Sequence, residues 1–560
     1  MPPFPLIARL AAALLALVPA RAPQSELLVR RVLLSGDPAP GAGPGVVFAG
    51  FGALPGAGDD FAPRIDARGE LAFHAVLAGP GVTGVALADG NGLGLWRALG
   101  PASGVARQDE LAPGTTAEFQ GFLSALDTRP PTISAGHVAF LGGLRGPGVD
   151  ATFGTNAAGL WSADAHGARL VARAGDGAPG LPAGHVFRLL DAPLLGPGGR
   201  VLFDALWRAP GDSPGLLAPN QEGFWSDRSG VLAAVVLAGA AAPGTAAGTV
   251  FRQATSTAVE GAFRGWDADE QLRLVVNGNL GGPGVDDLDD EGVWAERAAG
   301  LELLAREGAP APGAGTGVRF GIPNGIDTFG EVLPVRRSAG GAVFFGARLS
   351  GPGVPFLRSL WSDRSGALAP IARATLPLSG SAAGDPAPGF GPGWTFSVLA
   401  LYDCDAAGRV ALSGFATFQL DFDQQEAGLW RERGAGLELV ARAGERAPGT
   451  PAGVVFSDLN RFLSLTDAGT LFFLAGLAGP GVDGSDDLGL FAADAGGRLR
   501  LVVREGAGLD VGAGATRTVA AIVPGDAGAA DGLAFELGFS DGSSGLFSAR
   551  FAGGPHLRRR

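Results

Sequence analysis

Short apolar segments of four to six residues recur along the chain, rich in Val, Leu and Phe and separated by Gly, Pro, Asp or Ser. Segments of this kind between turn-forming residues are typical of β-strands. The most regular one carries an aromatic residue two positions after a Gly or, once, a Ser, at intervals of 65, 64, 69, 67, 69, 61 and 56 residues. Its aromatic residues are Trp96, Trp161, Trp225, Trp294, Trp361, Trp430, Phe491 and Phe547.

Three further segments keep step with this aromatic segment, so the repeating unit contains four strands. A strand of the type Glu70–Phe73 precedes it, and one of the type Arg169–Arg173 follows it. Ala-Pro-Gly comes next, and a Phe lies seven residues beyond its Gly in most units, as from Gly41 to Phe48. Short strands joined by turns rich in Asp and Gly pair antiparallel. No helical periodicity of 3.6 residues occurs beyond the N-terminal segment.

Eight such units predict an all-β fold, namely a single β-propeller of eight four-stranded blades. Packing the small sheets around an axis buries faces that a lone sheet would expose. The Val-Ala-Arg type of strand follows seven of the aromatic strands but not Phe547, while Arg31–Ser35 has this pattern with no strands before it. We therefore expect the N-terminal strand to complete the last blade and close the ring. An open β-solenoid or two smaller propellers are the alternatives.

The N-terminus has the features of a secretory signal peptide over residues 1–22. Arg9 precedes a short apolar run that ends at Val18, and Ala20 and Ala22 form a small-x-small cleavage site. The run is about half of the ~20 apolar residues that a membrane span needs. We expect residues 23–551 to form the propeller and residues 552–560 a short flexible tail. The mature protein is expected to be secreted, periplasmic or associated with the cell surface, with no membrane span.

Composition supports a folded chain and excludes one class of partner. Gly (95) and Pro (41) are abundant enough to suggest disorder, but 46% of the residues are hydrophobic and 33 are Phe, which a disordered chain lacks. The net charge of −13 disfavours nucleic acid, because binding there requires basic patches. Cys404 is the only Cys, so no intrachain disulfide forms. We interpret Cys404 as a turn residue.

The strand that precedes the aromatic strand often follows Asp-x-x-Gly, as in Asp66–Phe73 and Asp405–Leu412. This pattern resembles the Asn-x-x-Gly-x-x-Ala-Phe repeat of a secreted bacterial family, the choice-of-anchor tandem-repeat proteins. Ala305–Gly313 also resembles that family's Ala-Arg-Glu-Gly-x-x-Ala-Pro-Gly segment. The resemblance covers nearly the whole mature chain, although Asp, Ser, Thr or Gly replaces the Asn and no matching C-terminal anchor is found. It implies a secreted repeat protein and carries no established activity.

Loops rich in Gly and Pro are expected on one face of the ring. The Gly-Pro-Gly loops between the second and third strands and the Ala-Pro-Gly loops between units leave an antiparallel blade on the same side, and loops on a rigid scaffold often carry function. Two of these loops are acidic, and clustered carboxylates suit Ca²⁺, although neither matches the EF-hand pattern and a solvated turn is the alternative. The calcium candidates are Asp286, Asp287, Asp289, Asp290, Asp483, Asp486 and Asp487.

No sequence pattern typical of a catalytic site is found. The Gly-x-Ser-x-Gly nucleophile elbow is absent, and the five His fall at non-equivalent repeat positions without ligand spacing. The Trp residues at fixed spacing are expected in the blade cores rather than in a row that stacks on sugars. Three Trp residues depart from the spacing and are expected to be more exposed: Trp207, Trp266 and Trp394.

Two classes of function follow from these patterns. The first is a non-catalytic extracellular binding or scaffold module, expected to be a monomer, whose partner is an extracellular protein or polysaccharide. The second is a secreted propeller enzyme that acts on an extracellular polysaccharide or other polymer. Propeller enzymes place acids, bases or metals on blades that depart from the repeat, and here the departures bring no convincing pair of carboxylates or His. The sequence therefore favours the binding module, with no catalytic residue and no cofactor besides the calcium candidate.

Overall fold

The computed structural model describes the chain from residue 26 to residue 552 with short gaps, and strands dominate these parts. Their one helical element is a 3-10 turn, Pro197–Gly199. The all-β prediction is confirmed, while the predicted signal peptide and nearly all of the predicted tail lie outside the described residues. The described residues are 26–51, 62–85, 90–122, 131–150, 155–212, 221–253, 262–321, 328–329, 333–352, 354, 357–375, 384–419, 421–434, 436–525 and 531–552.

Eight small antiparallel sheets follow one another along the chain and form an eight-bladed β-propeller, as predicted. The strand β1 (Leu27–Leu34) precedes the first blade. Blade 1 contains β2 (Val47–Phe51), β3 (Arg64–Ile65), β4 (Leu71–Ala78), β5 (Leu93–Ala98) and β6 (Ala102–Arg107), and blade 2 contains β7 (Glu118–Gly121), β8 (Thr132–Ser134), β9 (His137–Arg145), β10 (Ala158–Asp164) and β11 (Gly167–Arg173). Blade 3 contains β12 (Val186–Leu195), β13 (Val201–Arg208), β14 (Gln221–Ser226) and β15 (Ala233–Leu237). Blade 4 contains β16 (Val250–Phe251), β17 (Phe263–Ala268), β18 (Leu274–Gly281), β19 (Glu291–Arg297) and β20 (Gly300–Arg306).

The second half of the ring repeats this plan, and its last sheet includes both ends of the described chain. Blade 5 contains β21 (Arg319–Phe320), β22 (Arg336–Arg337), β23 (Val343–Ser350), β24 (Leu357–Ser362) and β25 (Ala369–Thr375). Blade 6 contains β26 (Trp394–Cys404), β27 (Val410–Phe418), β28 (Asp421–Arg433) and β29 (Gly436–Arg442), and blade 7 contains β30 (Val455–Leu465), β31 (Leu471–Ala478), β32 (Leu488–Ala493) and β33 (Leu499–Arg504). Blade 8 contains β34 (Gly508–Gly512), β35 (Ala515–Pro524), β36 (Gly532–Phe539), β37 (Ser544–Phe551) and β1.

The first strand of each blade is the innermost one, because first strands of neighbouring blades contact one another around the axis, as β3 contacts β8 and β22 contacts β26. In blades 1, 2, 4 and 5 this strand is divided into two pieces that both pair with the second strand. In blades 3, 6 and 7 it is continuous but bulged. Division of the first strand, and a hairpin formed by β34 in blade 8, give five of the sheets a fifth strand that the repeat pattern did not predict.

The N-terminal strand closes the ring, as predicted. β1 pairs antiparallel with β37, with Leu27 opposite Phe551 and Arg31 opposite Phe547. Arg31 stands where β11, β20, β29 and β33 have a Leu, and its guanidinium donates to the carbonyl of Val511 at 2.5 Å. Blade 8 is therefore held together by both termini of the propeller.

The apolar core lies between adjacent blades, and the repeated Trp residues form its centre. Trp161 is fully buried, with its ring 4.9 Å from that of Phe119 in an edge arrangement. A β-carbon on Gly159 would lie 2.5 Å from the Trp161 ring, which explains the Gly two positions before the Trp. The predicted burial of Trp161, Trp225, Trp294, Trp361 and Trp430 is confirmed, since each is 0% exposed.

The expectation for the three other Trp residues is partly wrong. Trp207 is only 7% exposed, because it takes the place of a core Leu in the second strand and packs with Phe187 and Leu190. Trp266 and Trp394 are half-buried. The spacing alone could not separate a Trp that replaces a core residue from one near the surface.

The Asp-x-x-Gly motif stabilises the hairpin between the first and second strands. The Oδ1 atom of Asp66 accepts the N–H groups of Arg68 and Glu70 at 2.8 and 2.9 Å. Gly69 completes the turn with a φ of +80°, a conformation that other residues rarely adopt. The other oxygen of Asp66 accepts the N–H of Gly136 in the next blade at 3.2 Å, so the motif also connects blades.

A chain of ion pairs connects blades 2 to 6. In blades 3 to 6 an acidic residue lies two positions after the Trp, where blades 1, 2, 7 and 8 have Ala. Each carboxylate accepts the N–H of the first residue of its own second strand and pairs with an Arg of the preceding blade. The pairs are Arg169–Asp227, Arg228–Glu296, Arg297–Asp363 and Arg364–Glu432.

Candidate binding surface on blade 6

The Gly-Pro-Gly loops and the Ala-Pro-Gly loops lie on one face of the ring, as the sequence predicts. A β-carbon on Gly45 would meet Pro80 at 3.5 Å, and one on Gly453 would meet Pro480 at 3.3 Å. Each Pro therefore packs on the loop that enters its own blade. We call this side of the propeller the loop face.

The first acidic loop, in blade 4, is closed by its own hydrogen bonds and by arginines. Asp286 accepts the N–H of Leu288 through its carboxylate at 3.0 Å, and Arg306 donates to the Asp289 carboxylate at 2.8 Å. Asp290 pairs with Arg252, while Asp287 is exposed. Most of the carboxylates in this loop therefore have partners.

The second acidic loop, in blade 7, has the same geometry. Asp483 accepts the N–H of Ser485 at 2.9 Å, and Arg504 donates to the Asp486 carboxylate at 2.7 Å. The backbone carbonyl of Asp487 accepts the N–H of Leu477 at 2.7 Å. Across the described residues, no group of three or more His, Cys, Asp or Glu side chains is arranged to hold a metal ion. These contacts do not test the calcium hypothesis directly, but an ion at either loop would have to displace the arginine that already binds Asp289 or Asp486.

Blade 6 departs from the repeat on the loop face. Phe390 and Trp394 occupy positions one and five after the Gly of Ala-Pro-Gly, where other blades have smaller residues, as Ala42 and Val46 in blade 1. Phe418 stands where five other blades have the first Gly of the Gly-Pro-Gly loop. Three aromatic side chains thus replace small residues in a single blade.

The three aromatic rings of blade 6 lie together. The Trp394 ring centroid is 5.3 Å from that of Phe390 and 5.7 Å from that of Phe418. Phe390 is buried, whereas Trp394 and Phe418 are half-buried and reach the surface. Rings at this spacing form one apolar surface rather than separate contacts.

Arg442 completes this surface from the fourth strand. The equivalent arginines in other blades hold the loop between the second and third strands, as Arg306 and Arg504 do. In blade 6 the guanidinium lies over the rings of Phe390 and Trp394, at 4.2 and 5.1 Å from their centroids. Its Nε donates to Glu426 at 2.6 Å, and this hydrogen bond raises the pKa of Arg442.

A longer hairpin borders the aromatic rings. β27 and β28 continue past the point where other blades turn through Gly-Pro-Gly, and Gln419 adopts a φ of +49° at the bend. Asp421 accepts the N–H of Asp423 at 3.0 Å and the side-chain amide of Gln424 at 3.0 Å. All three residues are exposed. Phe390, Trp394, Phe418, Arg442, Glu426 and this hairpin tip form what we call the blade-6 surface.

Sequence reasoning found only part of the blade-6 surface. Trp394 was singled out because it breaks the Trp spacing, but Phe390, Phe418 and Arg442 were missed. The detectable signal was the replacement of small residues by aromatic ones at matched repeat positions. The altered role of Arg442 has no sequence signal, because Arg occupies this position in most blades.

Carboxylates near the centre of the ring connect neighbouring blades. Asp267 accepts the N–H of Arg337 at 2.8 Å, and Asp403 accepts the N–H of Leu465 at 2.8 Å. Cys404, predicted in a turn, is instead the last residue of β26. Burial raises the pKa of its thiol well above the usual value, which keeps the thiol protonated and unreactive.

A buried carboxyl cluster lies between blades 4 and 5. Glu291 accepts the N–H groups of Thr328 and Phe329 at 2.8 and 3.1 Å, and the Thr328 hydroxyl donates to Glu307 at 2.6 Å. Burial, followed by the nearby carboxylates of Glu291 and Asp290, raises the pKa of Glu307 to about 8. Because Glu291 and Glu307 are each 4% exposed, these groups hold the backbone of blade 5 rather than line an open cleft.

The chain matches a family of unknown function, DUF7453, over residues 31–262 and again over residues 253–553. The chain belongs to this family. The two matches overlap by a few residues and together span the whole ring, including part of the N-terminal strand that closes it. No curated protein matches the chain in sequence.

Similar solved structures share the fold at a general level only. The tricorn protease matches at 10% identity with a TM-score of 0.25, over 84% of this chain and 32% of its own length. A prolyl endopeptidase matches at 10% identity and 0.36, over 76% and 50%. The Penicillium chrysogenum alpha-L-arabinanase complexed with arabinobiose matches at 9% and 0.26, over 68% and 95%. This chain spans about a third of the length of the tricorn protease and half of the length of the prolyl endopeptidase. None of the three similarities bears on what this chain binds.

No helix in the described parts of the chain has both the length and the apolar character needed to cross a membrane.

Proposed function

We propose that the protein is a secreted polysaccharide-binding module and that the blade-6 surface contacts the sugar chain. The observation that carries this proposal is the cluster of Phe390, Trp394 and Phe418, which gathers on the loop face of one blade. The other blades fill the positions of Phe390 and Trp394 with smaller residues, so rings of this size are not required to close a blade.

The chemistry of the blade-6 surface suits a sugar chain. A pyranose ring presents C–H groups on its faces and hydroxyl groups around its edge. Half-buried aromatic rings contact the apolar faces, while carboxylate and amide groups such as Asp423 and Gln424 accept or donate hydrogen bonds at the edge. Ligand sites commonly combine an apolar floor with a few polar groups that fix orientation.

Binding to insoluble cellulose, chitin and xylan, and affinity electrophoresis in amylose and dextran, test the proposal. We expect the purified protein to bind at least one of these polymers and Trp394→Ala to weaken that binding about tenfold or more, because aromatic residues dominate such interfaces. Trp266→Ala is the matched control, since Trp266 is also half-buried but lies in the first strand of blade 4.

The outcomes separate the alternatives. No binding to any polymer in the panel would overturn the proposal, and undiminished binding by Trp394→Ala at an unchanged melting temperature would place the site elsewhere. Shortening of a polymer chain during incubation, followed by reducing-end release, would establish instead a propeller enzyme that acts on that polymer.

A further inference from the structure

We infer that the blade-6 surface selects an uncharged polysaccharide over an anionic one. This inference rests on the proposed function and concerns the charge of the ligand. It follows from the distribution of charged groups around the three aromatic rings, which favours negative potential at the point where a sugar chain would lie.

The one guanidinium that covers the rings is already neutralised. Arg442 donates to Glu426 at 2.6 Å, and its Cζ lies over the Phe390 ring, 4.2 Å from the centroid. Guanidinium groups that recognise carboxylate or sulfate present two parallel N–H groups to it. In Arg442 the Nε–H already donates to Glu426, so the pair of N–H groups that includes Nε cannot bind an anion. Because the Glu426 carboxylate already balances its charge, Arg442 attracts a further anion less strongly than an unpaired arginine would.

The polar border of the surface is acidic. Asp421 and Asp423 are exposed at the tip of the β27–β28 hairpin, and Glu426 lies at its base. Glu445, in the loop that enters blade 7, is exposed and close enough to raise the pKa of Arg442 through its charge. Four carboxylates therefore accompany two arginines, the paired Arg442 and the exposed Arg446 beside Glu445, in a chain whose net charge is −13.

This border has opposite effects on the two classes of sugar chain. The hydroxyl groups of a neutral chain donate hydrogen bonds to carboxylates, which are acceptors only. The carboxylate or sulfate groups of an anionic chain meet more like charges than opposite ones, and this repulsion is strongest at low ionic strength. Neutral chains are therefore accepted where anionic chains with the same backbone are rejected.

Matched pairs of polymers that differ only in charge test the inference. The probes are hydroxyethylcellulose against carboxymethylcellulose, starch against carboxymethyl starch, and dextran against dextran sulfate. For any backbone that binds, we expect the anionic member to bind at least tenfold more weakly in 10 mM salt. In 0.5 M salt the difference should fall to about threefold or less, because salt screens exposed charges.

The double change Asp421→Asn and Asp423→Asn provides the matched variant. It should lower the ratio of neutral to anionic affinity at low salt severalfold, because it removes two of the four negative charges at the border of the surface. Equal or tighter binding of the anionic polymers by the wild-type protein at low salt would overturn the inference while leaving the proposed function intact. Failure of every polymer, neutral and anionic, would overturn the proposed function and the inference with it.

Discussion

The indole N–H of Trp225 donates a hydrogen bond to the carbonyl of Pro179 at 2.9 Å. Pro179 belongs to the Ala-Pro-Gly segment that enters the same blade, so this bond joins the two most regular motifs of the repeat. Equivalent bonds of 2.9 Å occur in three other blades: Trp161 to Pro113, Trp294 to Pro243 and Trp430 to Pro388. The same bond forms although 42 to 51 residues separate the two motifs along the chain, so both motifs recur because each blade needs this contact.

Replacement of Trp225 separates the contribution of its ring from that of its hydrogen bond. Trp225→Ala should lower the free energy of unfolding by about 3–5 kcal/mol, because it leaves a cavity between blades 2 and 3. Trp225→Phe keeps most of the packing and should cost about 1–3 kcal/mol, because the Pro179 carbonyl loses its donor. Urea denaturation followed by circular dichroism measures both. Equal losses in the two variants would show that the hydrogen bond, and not the ring, matters.

The sequence predicted the repeat, the blade number and the closing strand because these depend on local patterns that recur eight times. A Trp, a Gly two positions before it and an Asp-x-x-Gly turn each satisfy a geometric need within one blade. Contacts between blades carry no such signal. The division of the first strand, and the carboxylates that bind Arg residues 58 to 68 positions away, depend on which blades become neighbours.

The blade-6 surface shows the same limit. Its aromatic residues are substitutions at matched positions of the repeat, but only Trp394 was identified from the sequence, because it breaks the Trp spacing. Phe390 and Phe418 lie 28 positions apart in the chain and meet Trp394 only through the fold. The Trp207 prediction was wrong because a Trp outside the regular spacing can still replace a core Leu.

The ion pair between Arg228 and Glu296 should stabilise the junction of blades 3 and 4. Its side chains are 31% and 15% exposed, and Glu296 also accepts the N–H of Leu274. We expect a double-mutant cycle with Arg228→Ala and Glu296→Ala to give a coupling energy of about 1 kcal/mol or more. The control is Arg433 and Glu438, both at least half exposed, for which exposed pairs predict about 0.5 kcal/mol or less. Equal coupling in the two pairs would contradict this prediction.

Stability should fall as the pH rises from about 5 to 8, and Glu307 should contribute to that fall. Burial raises its pKa to about 8 in the folded protein from a usual value of 4.5. The folded state therefore holds a proton that the unfolded state releases, so rising pH across this window favours unfolding. Glu307→Gln, which cannot ionise, should flatten the dependence of the melting temperature on pH. Glu302→Gln, an exposed change in the strand that ends just before Glu307, is the control, and an equal effect of both would count against the assignment.

Calcium should leave the melting temperature unchanged at millimolar concentration. In both acidic loops an Arg of the fourth strand already binds a loop carboxylate: Arg306 binds Asp289, and Arg504 binds Asp486. A bound ion would have to displace these contacts. Differential scanning fluorimetry with and without calcium measures the shift, because a ligand of the folded state raises its stability. A rise that the double change Asp286→Asn and Asp290→Asn removes would instead establish a calcium site in blade 4.

Loss of the N-terminal strand should destabilise the whole ring. A chain that begins at Pro40 lacks β1, so β37 becomes an unpaired edge and Leu33 and Leu34 leave the core, at about 2–5 kcal/mol for each side chain. Compared with a chain that begins at Pro23, it should melt at a clearly lower temperature and associate through the exposed edge, as size-exclusion chromatography would show.

A synthetic peptide of residues 23–39 should restore the melting temperature by adding the missing strand. The same peptide with Arg31→Ala, which cannot bind the Val511 carbonyl, should restore it less. If the shortened chain melts like the longer one and stays monomeric, β1 pairs with β37 without contributing to the stability of the ring.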